Sequence, residues 1–240
     1  MPRLHRLAAA ERFDRRDQFP ISFFGVQHMP ILAIETTGAA CSVAFADGAR
    51  VREHTCIAPR RHNALVLEMI DTLLASAGVR PRELEAVAFS AGPGSFTGVR
   101  IGAAVAQGIA FGAGVAVVRV ATSTVMAEQV RRRCDAPGVT TVRPSRAGWV
   151  YAARYAFEDG AVVCEAFDAL VPSDAVPRGS ARGLAPSHED QAPPGWLVAE
   201  RDEPLRAAVL AELAGPMPRL DAAEAIPFYV PGDSPWKKMS

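Results

Sequence analysis

The run Gly92-Pro93-Gly94-Ser95-Phe96-Thr97-Gly98-Val99-Arg100-Ile101-Gly102 sets the tightest limit on what this chain can become. It follows Ala86 to Ser90, a short apolar stretch of strand length, and it opens into residues at helical spacing. Strand, glycine-rich turn and helix in that order present backbone N–H groups at a helix N-terminus, which suits an anion or a close backbone neighbour. The default reading is a structural turn of Gly92, Pro93, Gly94 and Ser95, with Ser95 as the cap of the helix. The dinucleotide fingerprint fails because Thr97 stands where the third glycine belongs, and no Gly-Lys-Ser/Thr follows to make a P-loop. Ser95 also lacks a glycine two positions on, so it is not a nucleophile elbow.

The surrounding pattern supplies the architecture. Ile31 to Glu35, Ser42 to Ala46 and Arg50 to Cys56 read as three short strands, with turns at Thr37-Gly38 and Asp47-Gly48. Leu65, Val66, Met69, Ile70, Leu73, Leu74 and Ala77 recur at helical spacing and predict a helix over 63–77, stopped by Gly78. A second helix is expected from about Phe96, then a strand from Val115 to Val120, then a third helix capped by Thr122 or Ser123. The order β-β-β-α-β-α-β-α predicts a mixed sheet with helices on its faces, an α/β fold. Beyond residue 135, Thr140 to Arg143, Trp149 to Tyr155 and Val162 to Ala166 alternate like strands. Residues 172–195, rich in Pro, Gly and Ser, read as an irregular loop.

Along the second helix Gly98, Gly102, Ala106 and Ala110 form a strip of small side chains, and Ile101, Val105 and Ile109 form a separate aliphatic ridge. The ridge is expected on the sheet, leaving the small strip for close approach of another helix. Leu67 lies off the main stripe of the first helix, so both helices are candidates for an interface outside the monomer. The alternative is that both strips are satisfied within the fold.

Charge and composition exclude several classes. Balanced counts of 26 basic and 26 acidic residues leave no broad positive field for binding nucleic acid unaided. The four cysteines, Cys41, Cys56, Cys134 and Cys164, form no Cys-x-x-Cys pair and fit a reducing cytosol better than zinc or a disulfide framework. No two of the five histidines sit at helical metal-ligand spacing. Ile101 to Val118 is uncharged and nearly long enough to span a bilayer, but its Ala and Gly content and the breaks at Gly112 and Gly114 make it a buried helix followed by a strand. Residues 1–28 mix Arg with Asp and Glu and lack a signal-peptide core, so they are expected to be a poorly ordered or upstream extension before a start at Met29. Short basic runs, Arg131-Arg132-Arg133 and Lys237-Lys238, are solvated faces by default and nucleic-acid contacts in the alternative.

The glycine run, the opening Ile31-Leu32-Ala33-Ile34-Glu35-Thr36-Thr37, the stretch Arg60-Arg61-His62-Asn63, Arg146 to Tyr151 and the tail Pro227-Phe228-Tyr229…Trp236-Lys237-Lys238 together resemble the TsaB (YeaZ) family across residues 29–240. The resemblance implies an actin/Hsp70-like (ASKHA), ribonuclease H-like fold with lobes at 29–135 and 136–240, the second one reduced. It also implies a cytoplasmic, non-catalytic subunit that pairs with catalytic TsaD and the ATPase TsaE to place threonylcarbamoyl on adenosine 37 of tRNA. No cofactor is expected to be tightly bound, ATP or ADP entering only in the assembled complex. No membrane is involved, tRNA is met only through the complex, and a homodimer is expected when the partner is absent. The implied interface comprises His62, Leu65, Leu67, Met69, Leu73, Gly98, Arg100, Gly102, Ala106 and Ala110. Glu35, Thr36 and Thr37 are the candidate nucleotide-facing residues, although Glu35 stands where the family usually has Asp. Pro144-Ser145-Arg146 departs from the family's Asp-Ala-Arg, and Pro231 replaces a frequent basic residue. An independent ATP-binding protein or phosphotransferase is the alternative, and it would need a second phosphate hairpin for which 240 residues leave little room. A metalloprotease fails on the missing histidine pair. An actin-like module with a different partner differs from the main reading only in that partner.

Overall fold

The computed structural model describes residues 29–133, 136–176, 182–185, 197–198 and 204–232. The first 28 residues, the Trp236-Lys237-Lys238 tail and most of 177–203 lie outside them. Strands β1 (Ile31–Glu35), β2 (Ala40–Asp47), β3 (Arg50–Ile57), β4 (Ala86–Ser90) and β5 (Ala116–Val120) form one sheet in the order β3-β2-β1-β4-β5. The first three are antiparallel, while β4 and β5 continue parallel to β1. Strands β6 (Gly138–Pro144), β7 (Trp149–Glu158), β8 (Ala161–Pro172), β9 (Arg182–Ala185) and β10 (Leu197–Val198) form a second sheet in the order β10-β9-β6-β7-β8. Here too the first three strands are antiparallel and the last two follow in parallel. Numbered within each unit, both sheets read 3-2-1-4-5, so the chain is built from two copies of one topological unit. That duplication is the actin/Hsp70-like, ribonuclease H-like plan. The stretch 172–195, expected to be irregular, contains β9: four residues suffice there because β6 offers them a parallel edge.

Helices α1 (His62–Ala77) and α2 (Phe96–Ala113) cover one face of the first sheet, where Leu32, Ile34, Val43, Val87 and Phe89 meet Val66, Ile70, Leu73, Ala103 and Ala106. Helix α3 (Thr122–Arg131) follows the last strand of the first sheet yet packs Ala127 and Val130 on Val139, Tyr155 and Val162 of the second. Helix α4 (Ala207–Ala214) follows the second sheet yet packs Leu210 and Leu213 on Ile31, Ala33, Ala88 and Val118 of the first. Each unit therefore lends its closing helix to the other. The expected caps Thr122 and Ser123 sit inside α3, whose N-cap is Ala121; both hydroxyls are buried, and that of Ser123 serves the second sheet instead.

Eight-residue α4 has no cap of its own, and its first N–H groups are satisfied from elsewhere. Ala207 N–H donates to Ser42 Oγ (3.1 Å), Ala208 N–H to Glu53 Oε1 (3.0 Å) and Arg206 N–H to Gln129 Oε1 (2.9 Å). The Glu53 carboxylate also pairs with the Arg206 guanidinium, a negative charge placed where the helix dipole favours it. After α4 the chain stays with the first sheet: Leu220 and Val117 exchange backbone hydrogen bonds, and Phe228 N–H donates to the Ala91 carbonyl (2.8 Å). Residues 207–228, assigned by the sequence to a second lobe starting at 136, thus complete the first.

The two strips of α2 face the opposite way from the expectation. Gly98, Gly102, Ala106 and Ala110 are buried, whereas Ile101, Val105 and Ile109 are only half-buried. The β1–β2 turn supplies the reason. Thr36 Oγ1 donates to the Gly98 carbonyl (2.8 Å), and a Cβ at Gly98 would lie 2.0 Å from the Thr36 carbonyl oxygen. A Cβ at Gly102 would come within 2.8 Å of Thr36 Oγ1. The tightest contact selects the smallest side chains, and the bulkier ridge packs half-buried at the margin of the core. By length and composition α2 would also pass as a membrane span, but its small face is turned to the sheet.

Gly98→Ala should destabilise the protein by about 3 kcal/mol in urea denaturation, because the clash is with backbone that cannot rotate away. Gly102→Ala, whose clash is with a hydroxyl, should cost clearly less. A loss under about 1 kcal/mol at Gly98 would contradict so close an approach.

Candidate functional site

The carboxyl edge of the first sheet meets the second where Arg143 of β6 reaches the β1–β2 turn, and β1 delivers Glu35 to this junction. Glu35 is 1% exposed. Its Oε1 accepts from the Thr37 N–H (2.6 Å) and the Thr37 hydroxyl (2.5 Å), which tightens the turn at 36–38. Its Oε2 is buried with no protein partner, as are Ser90 Oγ and Thr122 Oγ1. Strand alternation puts Glu35 and Ser90 on the same face as Ala33 and Ala88, and Ile34 pairs with Phe89 in parallel register, so the two residues end neighbouring strands side by side.

The glycine motif closes on this turn. Ser95 N–H donates to the Thr37 carbonyl (3.0 Å), and a Cβ at Gly94 would lie 2.8 Å from Thr37 Cβ. Ser95 Oγ accepts from the Gly98 N–H (3.2 Å), the cap that the sequence predicts. Of the two neighbours the motif admits, it meets the backbone of residues 36 and 37.

From the second sheet, Arg143 on β6 reaches the same turn. Its Nη2 donates to the Thr37 carbonyl (2.8 Å) and its Nη1 to the Thr37 hydroxyl (3.3 Å). Loss of water around the guanidinium pulls its pKa down, while the charges of Glu35 and Asp168 oppose that shift. Asp168 on β8 accepts from Ser123 Oγ (2.5 Å), which also bonds the Tyr155 hydroxyl (2.8 Å); Thr124 Oγ1 lies 3.1 Å from the same hydroxyl. Burial pushes Asp168 up to about 6, with the Ser123 hydrogen bond and the Arg143 charge pulling the other way. The junction between the sheets thus holds one buried carboxylate, one desolvated arginine and a hydroxyl chain ending on a second carboxyl. Among the described residues no group of three His, Cys, Asp or Glu side chains gathers to hold a metal. Arg143, Ser123, Tyr155 and Asp168 were not legible as site residues, because nothing in their spacing marks them; only the facing of the two sheets brings them together.

The expected interface residues divide. His62 is buried, its Nε2 3.1 Å from the Ala40 carbonyl, and pins the start of α1 to β2. Leu73 lies in the core. Together with Gly98, Gly102, Ala106 and Ala110 these residues face inward and cannot line an external surface, because they occupy the stripe that meets the sheet. Leu65, Met69 and Arg100 are half-buried, and Leu67 is 57% exposed. Phe111, near the end of α2, is 83% exposed. Arg100 stacks over the Phe96 ring at 3.4 Å and lies 5.2 Å from the Tyr229 ring. Arg131 and Arg132 are engaged by Glu128, and Arg132 also by Glu212, so they make internal ion pairs.

Asp168 has a pH consequence. Its folded pKa of about 6 exceeds its ordinary value of 3.8, so the folded state holds the proton more tightly and loses stability as pH rises between those values. Asp168→Asn removes this cost: the variant should be more stable than the parent by about 1–2 kcal/mol at pH 7.5 and indistinguishable at pH 4. Urea denaturation at both pH values checks it, and equal stabilities at pH 7.5 would show that the carboxyl is well solvated.

Residues 55–179 match the family model described as TsaD: tRNA N6-adenosine threonylcarbamoyltransferase. The chain is 39% identical over 134 residues to the tRNA threonylcarbamoyladenosine biosynthesis protein TsaB of Escherichia coli (strain K12), covering 56% of this chain and 58% of that one. It is 39% identical over 126 residues to the TsaB protein of Haemophilus influenzae, covering 52% and 53%. The alignments therefore span just over half the length of these curated relatives. The solved structure of YeaZ from Pseudomonas aeruginosa superposes with a TM-score of 0.73 at 30% identity, covering 84% of this chain and all of that one. With the glycine motif seated on its turn, the duplicated sheet and full-length structural likeness to YeaZ all in agreement, the chain belongs to the TsaB (YeaZ) family.

Proposed function

We propose that this chain is a non-catalytic subunit in tRNA threonylcarbamoyladenosine biosynthesis, pairing through the outer face of α1 and α2 with a TsaD-type catalytic subunit and acting with a TsaE-type ATPase. The observation that carries the reading is that outer face. Leu67 on α1 and Phe111 on α2 are exposed, Leu65 is half-buried, and Met69, Ile101, Val105 and Ile109 are half-buried at the margin of the core. A row of large apolar side chains on two neighbouring helices is what a helical interface requires. The names of the similar TsaB proteins, which place them in tRNA threonylcarbamoyladenosine biosynthesis, support the pathway. The non-catalytic part draws on the junction between the sheets, where the Arg143 cation ties down the turn that follows Glu35. In the absence of the partner the same face pairs two copies of this chain, and the two assemblies exclude each other. ATP or ADP and tRNA are met only in the assembled complex, in the cytoplasm.

A second reading, an independent ATP-binding protein or phosphotransferase of the same fold, draws on the buried, unpartnered Glu35 Oε2 at the sheet edge. Glu35, Ser90 and Thr122 supply oxygen donors of the kind a hydrated divalent cation accepts, but Arg143 brings a competing positive charge to the adjoining turn.

Mixing the chain with the TsaD-type protein of the same genome should give a heterodimer by size-exclusion chromatography with light scattering. Leu67→Asp combined with Phe111→Asp should weaken that complex at least about tenfold, with stability changed by less than about 0.5 kcal/mol. An undiminished complex in the double variant would move the interface elsewhere, and no complex with the parent chain would remove the scaffold reading.

A further inference from the structure

Two thiols face each other across the β2–β3 hairpin. Cys41 on β2 and Cys56 on β3 are directly opposite in the antiparallel ladder. Opposite residues in such a pair send their side chains to the same face, with Cα atoms about 4.5–5.5 Å apart. A disulfide spans Cα separations of about 4.4–6.8 Å, so the register alone brings this pair within bonding reach. The two thiols differ in surroundings. Cys41 is fully buried in the core beneath α1, and Cys56 is exposed on β3, the edge strand of its sheet. Burial pushes the Cys41 thiol up to about 11, with the neighbouring Cys56 and Glu35 adding to the rise. Cys41 therefore waits as an unreactive thiol, while Cys56 is the sulfur that a soluble reagent meets first.

We propose that Cys41 and Cys56 form a reversible cross-strand disulfide, made by exchange with a small disulfide of the glutathione class. In the first step the Cys56 thiolate attacks the reagent's S–S bond, giving a mixed disulfide on Cys56 and releasing one glutathione thiol. In the second, Cys41 gives up its proton and attacks the Cys56 sulfur, closing the intramolecular bond and releasing the second. Two protein thiols are oxidised and one small disulfide is reduced to two thiols. Excess dithiol reductant reverses the sequence. The bond would sit at the end of the hairpin that launches α1. Cys41 follows Ala40, whose carbonyl holds His62, and Cys56 lies two residues before Ala58, whose N–H donates to the Ala39 carbonyl (3.2 Å). Oxidation therefore fastens the segment that leads into α1, whatever α1 contacts outside the monomer.

The test uses the full chain, reduced, then treated with oxidised glutathione, blocked with N-ethylmaleimide and digested with trypsin without reductant. Cleavage after Arg50, Arg52 and Arg60 separates the two cysteines onto different peptides. The expected product is the Cys41 peptide joined to the Cys56 peptide, two hydrogen atoms lighter than their sum, absent after dithiothreitol and absent in Cys56→Ser. Amide hydrogen exchange over residues 57–64 should slow on oxidation of the parent and stay unchanged in Cys56→Ser. Glutathione retained on Cys56 with Cys41 free, or Cys56 joined to Cys134 or Cys164, would overturn the proposal.

Discussion

The structure depends on an exchange of helices between its two sheets. A sheet has two faces to cover, and the short second unit shows no long helix of its own between β8 and β9 among the described residues. Helix α3 leaves the first sheet to cover the second, and α4 returns from the second to cover the first. Where the two helices pass, Glu128 of α3 is nearly inaccessible to water. Burial raises the cost of its charge, but the Arg131 and Arg132 guanidiniums overcome that cost and hold its carboxyl below the ordinary value. Arg132 extends the contact to Glu212 of α4. Such a cluster contributes little net stability once desolvation is counted, yet removing one member leaves a buried charge unpaired, so it holds the two helices in one register. Each sheet thus has one face whose core is completed by the other unit's helix.

That exchange also brings the junction residues together. With α3 clamped on the second sheet, Ser123 and Thr124 at its start meet Tyr155 and Asp168, and β6 is held where Arg143 reaches the 36–37 turn. The same turn receives the glycine motif, with a Cβ at Gly94 falling 3.2 Å from Arg143 Nη2. Two segments distant in sequence thus converge on Thr36 and Thr37: Gly98 must lack a side chain so that Thr36 can approach, and the Thr37 carbonyl accepts from both Ser95 and Arg143. The motif that looks like an anion loop serves here as a socket for backbone.

Turning the small face of α2 inward leaves the aliphatic ridge half-buried at the margin of the core, while Leu67 on α1 stays exposed. The apolar outer face is thus a consequence of the close packing beneath it. Its position on two adjacent helices, away from the junction, separates the surface proposed for a partner from the polar groups between the lobes. The Cys41–Cys56 pair lies on the strand hairpin at the edge, beside the start of α1.

Local periodicity determined a large part of this protein. The first three strands, the span of α1 and the strand at 86–90 follow from alternation and helical spacing, because side-chain period is set by backbone geometry within a few residues. The Ser95 cap was legible for the same reason, since donor and acceptor are three residues apart. The family was legible too, through the glycine string. Which face of α2 turns inward was not, because two stripes of comparable quality ran along it and the choice fell to Thr36, 62 positions away in sequence from Gly98. β9 was hidden in a stretch of loop composition, since a four-residue strand is specified by its neighbour β6 rather than by its own pattern. Arg143, Asp168 and the crossing of α3 and α4 belong to the tertiary structure alone: they are set by pairing across long separations and by which apolar face is left to cover, quantities that no window of sequence contains.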